Sequence, residues 1–214
     1  MKQAFILLLC CIFSCCIQAQ EIAVLKYGGG GDWYSNPTAL PNLIKFCNQN
    51  IKTNIKTEPA TVEPDDTNLF SYPFIHMTGH GNVFFTEEEA SQLRNYLISG
   101  GFLHIDDNYG MSDYVKKEIE KIFPNLDLKE LGANHPIFST AYEFPKGLPK
   151  IHEHDGKKPQ AFGITYNNRL VLLFTFESDL GDGWENEEVH HDPEEIRLKA
   201  LKMGANIIKY AFEN

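Results

Sequence analysis

The stretch Phe102-Leu103-His104-Ile105-Asp106-Asp107, entered through Gly100-Gly101, constrains this chain more than any other. It reads as a short apolar strand that ends abruptly in two carboxylates. In an open α/β sheet, ligands bind beyond the carboxyl ends of the strands. Asp106 and Asp107 therefore have three candidate uses: chemistry, holding a metal, or capping the next helix. From one strand end they cannot both point the same way, so one faces the rim and the other braces.

The flanking sequence repeats a strand-then-helix pattern. Residues 22–27 and 73–77 read as buried strands. Residues 37–48 place Leu40, Leu43, Ile44 and Cys47 on one helical face. Thr86 is an N-cap candidate with Glu87, Glu88 and Glu89 in the first turn, where carboxylates suit the helix dipole. That helix turns Leu93, Tyr96 and Leu97 inward and stops near Gly100. Ser112 or Asp113 opens another helix, which runs to about Phe123. Residues 161–166 and 169–176 are apolar runs joined by Asn167-Asn168, a tight hairpin because Asn tolerates positive φ. Asp192-Pro193 reads as a cap and first-turn proline for a long final helix with Ile196, Leu201, Ala205 and Ile208 inward. This alternation predicts an α/β fold: a flavodoxin-like, doubly wound, mostly parallel sheet with helices on both faces and an antiparallel hairpin at one edge.

The polar residues gather just after strands. Gly28-Gly29-Gly30-Gly31, then Asp32 and Trp33, follow the first strand. Thr78-Gly79-His80-Gly81 follow the second, and Glu177 to Trp184 follow the last. In a mostly parallel sheet, most of these loops share one rim. The four glycines lack the Lys-Ser/Thr of a phosphate loop, so they serve either as a tight turn or as a backbone cradle for an anion. His80 is placed for metal ligation, proton transfer or a hydrogen bond to a neighbouring loop. His104 lies inside a strand and reads as a buried, hydrogen-bonded histidine. Asp179 and Asp182 resemble hard-cation carboxylates without the spacing of a calcium loop. Trp33 and Trp184 flank the rim, where they stack a ligand or pack beneath loops. His152-Glu153-His154-Asp155 and His190-His191-Asp192 look like metal-ligand clusters, the first in a Pro/Lys/Gly-rich loop that reads as solvated surface. In His190-His191-Asp192 the aspartate is assigned to capping. Neither matches the helical His-Glu-x-x-His zinc pattern.

The 214 residues carry a formal net charge of -10 and no basic run, which disfavours nucleic acid or an anionic membrane as partner. Lys2, the apolar residues 5–17 and Ala19 have the form of a secretory signal over residues 1–19, too short for a membrane span. Residues 20–214 are then one exported domain, periplasmic or secreted. Cys10, Cys11, Cys15 and Cys16 fall in the leader, leaving Cys47 alone and no internal disulfide. A lipid anchor at Cys15 or Cys16 is not expected, because Phe13 is too bulky for the signal.

Lys26-Tyr27-Gly28-Gly29-Gly30-Gly31-Asp32-Trp33, the segments 74–81 and 100–107, His135-Pro136-Ile137-Phe138, Asp179-Leu180-Gly181-Asp182-Gly183-Trp184 and the segment 204–211 resemble, in order, the bacterial "domain of unknown function 4159" family. That family is similar to the class I glutamine amidotransferase-like fold. The resemblance implies a flavodoxin-like sheet whose elbow strand carries a nucleophilic Cys. Here Asp106 and Asp107 stand in that stretch, so a Cys-His mechanism is unsupported.

Two functions follow. The first is a non-catalytic module that binds a small molecule or cell-envelope partner through Gly29, Gly30, Asp32, Trp33, Gly79, Gly81, Asp179, Gly181, Asp182 and Trp184. The second is a hydrolase-like enzyme, metal-assisted or not, using His80 with Asp106 and Asp107. No cofactor is named by the sequence.

Overall fold

The computed structural model describes residues 19–214. The expected leader, with its four cysteines and the expected lipidation and cleavage signals, lies outside the described residues apart from Ala19. The elements in order are β1 (Ile22–Leu25), α1 (Ala39–Asn50), β2 (Ala60–Val62), β3 (Phe74–His80), α2 (Glu87–Ile98), β4 (Phe102–Tyr109), α3 (Ser112–Ile122), β5 (Lys129–Glu130), β6 (Gln160–Tyr166), β7 (Arg169–Phe176), α4 (Leu180–Trp184), α5 (Glu187–His190) and α6 (Glu194–Glu213).

The strands form one sheet in the order β2-β1-β3-β4-β7-β6-β5. The first five of these run parallel. The hairpin β6–β7 and the short β5 make the antiparallel edge. Asn167 and Asn168 turn that hairpin at φ of 48° and 63°. This is the doubly wound α/β architecture, flavodoxin-like on its parallel side. Sequence order reverses between β1 and β3, so the switch point lies above that pair.

Strand alternation sorts the core into two layers. Ile75, Met77, Leu103 and Ile105 point to the face covered by α2 and α3. Ile22, Phe74 and Phe102 point to the face covered by α1 and α6. Helix α2 starts as its sequence requires: Thr86 accepts from the Glu89 amide while the Glu89 carboxylate reaches back to the Thr86 amide. Among the described residues, no helix is long and apolar enough to cross a membrane. Cys47 is buried and unpaired.

Three features differ from expectation. Strand β4 does not stop at Ile105. It runs on through Asp106, Asp107 and Asn108, because β3 pairs with it to Tyr109 and β7 to Asp106. Asp192 does not cap α6; Pro193 holds the N-cap position and the carboxylate turns to His152. The buried face of α6 is carried by Ala200, Met203, Gly204, Ile207 and Ile208, with Ile196 and Leu201 only half-buried.

Candidate functional site

The carboxyl-terminal half of β4 sends alternate side chains to opposite faces. Asp106 and Asn108 point toward α1 and α4, while Asp107 points toward α3. Asp107 accepts from the amides of Met111 at 2.9 Å and Ser112 at 3.1 Å, so both its oxygens brace the start of α3. Burial raises its pKa, opposed by those same two hydrogen bonds.

Asp106 is fully buried. It accepts from the Thr175 hydroxyl and, at 2.7 Å, from the Gly181 amide. Burial pushes its pKa up to about 7 despite these donors, with Asp182 and Asp107 adding repulsion. Beneath it lies a buried polar chain: His76 Nδ1 is 3.1 Å from His104 Nδ1, and His104 Nε2 is 3.0 Å from Thr175 Oγ1. Because the Thr175 proton goes to Asp106, Thr175 must accept from His104 Nε2–H. His104 Nδ1 is then the acceptor for His76 Nδ1–H. Burial holds both rings neutral, with His76 down to about 3 and His104 well below its ordinary value. The expected buried, hydrogen-bonded His104 is thus the middle of a relay.

After β7 the chain turns sharply. Glu177 and Asp179 both adopt left-handed φ, 56° and 59°. Each costs about 1–2 kcal/mol in a non-glycine residue. The turn carries Asp179 and Asp182 to the rim. Asp182 accepts from Asn36 Nδ2 at 2.8 Å and contacts His152 Nδ1 at 3.0 Å. On its other side, His152 Nε2 sits 2.7 Å from Asp192. The bond to Asp182 raises the His152 pKa to about 9 against the effect of burial, with Asp192 assisting. Burial opposes ionisation of Asp182, yet His152, His190 and Asn36 hold it below the usual carboxylate range.

Asp179 is different. Its side chain is 0% exposed. His154 Nε2 stands 2.7 Å away in an ion-pair contact that lacks hydrogen-bond geometry, so neither Asp179 oxygen accepts a hydrogen bond. Burial pushes its pKa up to about 9, followed by repulsion from Asp106 and Asp182. Asp179 lines an open cleft of about 470 Å³ together with Asn108, Tyr109, His154 and Glu177. A buried carboxylate that accepts no hydrogen bond and meets only a partly exposed imidazole is a costly arrangement.

The glycine loops form a neighbouring station over β1 and β3. Asp32 accepts from the His80 amide and contacts His80 Nδ1 at 3.0 Å. Gly79 permits this approach: at φ 143°, any Cβ would stand 2.2 Å from the Tyr27 hydroxyl and 3.0 Å from Asp32 Oδ1. Gly29 is held at φ 101°, where a Cβ would strike the Phe84 amide at 2.9 Å. Gly30 and Gly81 also have positive φ, with open space above them.

Trp184 is fully buried. Its ring packs against His76 and His104, and its Nε1 donates to Ala200 O. It lies under the rim rather than on it. Trp33 is half-buried, with Lys26 over its ring at 5.9 Å. Gly181 serves Asp106 through its amide.

The structure therefore brings Asp106, Asp179, Gly181 and Asp182 together above β4 and β7. Asp32, Gly79 and His80 form a separate group. Asn36 and Thr175 were not singled out from sequence, and His152, His154 and Asp192 were noticed there without being placed at this rim. His152 and His154 belong to a stretch read as solvated loop. His152 is instead clamped between two carboxylates, and His154 lies against Asp179. Alternating His and Asp in both segments was the available signal. Its meaning depended on their meeting, about 40 residues apart in the chain.

Fold and site together define a doubly wound α/β domain with a histidine- and carboxylate-rich rim at the carboxyl ends of its central strands. A family model described as "Domain of unknown function (DUF4159)" matches residues 21–212. The chain belongs to that family. A search of curated proteins found no match.

Proposed function

We propose that this protein is a binding module for a small polar ligand that carries positive charge or several hydrogen-bond donors. The cleft at the strand carboxyl ends receives it, and Asp179 is its principal contact. The observation that carries this reading is the buried Asp179 side chain, whose oxygens accept no hydrogen bond; burial keeps it protonated at pH 7 in the free protein, and a cationic or donor-rich ligand takes the place of that proton. Five carboxylates line the cleft against two lysines, which selects donors and cations over anions. Tyr109 and Phe176 offer apolar faces beside them. Asp106 and Asp107 support the site from beneath, since their oxygens are already engaged. The only thiol in the described residues, Cys47, is buried in the core, which supports a role without a cysteine nucleophile. The leader-like residues 1–19 support a location outside the cytoplasm, with a cell-envelope molecule as the source of ligand.

A thermal-shift screen of small amines, guanidines and amino sugars, each beside its neutral counterpart, tests the reading. At least one charged member is expected to raise the melting temperature of the wild type and not that of Asp179→Asn. Shifts that are equal for neutral and charged members, or that survive the substitution, would refute it.

The His80–Asp32 pair supports a second reading. A half-exposed imidazole oriented by a carboxylate is the arrangement of a general base. On that reading the rim is hydrolytic, and His80→Ala abolishes turnover in a hydrolase screen while leaving ligand binding at Asp179 intact.

A further inference from the structure

A second cluster stands apart from the cleft reading and does not depend on it. His152, Asp182 and His190 each offer one ligand atom, and these atoms lie within 4.8 Å of one another. We propose that the three bind one divalent transition-metal ion of the zinc class. In a tetrahedral shell with bonds near 2.0–2.2 Å, donor atoms stand roughly 3.3–3.5 Å apart. His152 Nδ1 is 3.0 Å from Asp182 Oδ2, the oxygen left for the metal, and His190 Nε2 is 3.7 Å from Oδ1 of the same carboxylate, with one ligand atom from each residue inside 4.8 Å. Small rotations of exposed or partly exposed side chains bring both into range.

The surroundings are those of a built site. A metal-ligating histidine characteristically gives its other ring N–H to a carboxylate, which fixes tautomer and orientation. His152 does this with Asp192, at 2.7 and 2.8 Å from the two oxygens. Asn36 Nδ2 donates to Asp182 Oδ1 at 2.8 Å and leaves Oδ2 for the metal. The side chains of His152 and His190 are 21% and 29% exposed, so an ion can reach them. Two imidazoles and one carboxylate suit zinc better than calcium or magnesium, which prefer all-oxygen shells. Three protein ligands leave a fourth position open to water or a bound molecule. The Asp179 carboxylate, which accepts no hydrogen bond, sits three residues from Asp182, on the same turn.

Chelator-stripped, untagged protein titrated with Zn²⁺ alone in a calorimeter tests this. One equivalent is expected to bind and to raise the melting temperature. His190→Ala removes a ligand from an exposed position at the end of α5 and is expected to weaken binding on the order of 100-fold, with the zinc-free melting temperature unchanged. Asp192→Asn, which touches no metal, is expected to weaken it by about 10–100-fold. No binding by the wild type would overturn the proposal. Binding that is indifferent to both variants would also overturn it, assigning the zinc to scattered surface histidines.

Discussion

Replacing Asp179 with Asn is expected to make the protein more stable, in a way that depends on pH. Its carboxyl is raised from 3.8 to about 9 in the fold. A raised acid contributes fully below its unfolded pKa and loses that contribution as pH climbs through the folded one. At pH 7 the unfolded chain has released this proton and the folded one has not, which costs about 4 kcal/mol. Asn does not titrate, so it removes that cost. It sacrifices no hydrogen bond, because neither Asp179 oxygen accepts one. What it loses is the contact with the partly exposed His154, worth about 1 kcal/mol or less. The φ of 59° is one that Asn adopts readily. The net expectation is a gain of about 2–4 kcal/mol at pH 7, or roughly 5–15 °C in melting temperature. The gap between variant and wild type should widen by about 3 kcal/mol from pH 6 to pH 8. Urea melts of both proteins at those two pH values, with chelator present, measure it. A variant less stable than wild type at pH 7, or a gap that stays flat with pH, would refute the reasoning.

Asp106→Asn should show a similar pH-dependent difference that levels off above pH 8, since Asp106 sits at about 7 and Asp179 at about 9; the same melts separate the two. Gly79→Ala should cost about 2–4 kcal/mol in urea melts and break the Asp32–His80 contact, because its Cβ meets the Tyr27 hydroxyl at 2.2 Å. Asn206→Ala should cost about 2–3 kcal/mol, because the buried Asn206 side chain accepts from the amides of Ala141 and Tyr142 and donates to Tyr142 O. Thr86→Ala should cost about 1 kcal/mol by removing half of the capping box of α2.

Local rules placed most of the fold. Thr86 with Glu89, the Asn167-Asn168 turn and the inward stripe of α1 each act within a few residues, and each appears where the sequence put it. The end of β4 could not be placed in this way. Asp106 and Asp107 look like the finish of a strand, because charge usually means solvent. Asp107 is held there by the nearby amides of Met111 and Ser112, while Asp106 stays inside the strand because Thr175 and the Gly181 amide, some 70 residues later, supply donors that no local window contains. His152 was hidden for the same reason. Its partners Asp182 and Asp192 lie on other segments, and a loop rich in Lys and Gly looks solvated until those carboxylates arrive. Asp192 looked like a cap from its neighbours alone, yet a charged contact to His152 outcompetes one backbone amide.

The short helix α4 is tied to elements from both ends of the described chain. Asn42 of α1 donates to Trp184 O, and the Glu185 carboxylate accepts from Thr38. Trp184 Nε1 donates to Ala200 O, and Arg197 to Glu185 O, both from α6. Loosening either helix therefore loosens the turn that bears Asp179 and Asp182, so the state of the rim reports on how firmly both ends of the described chain are docked.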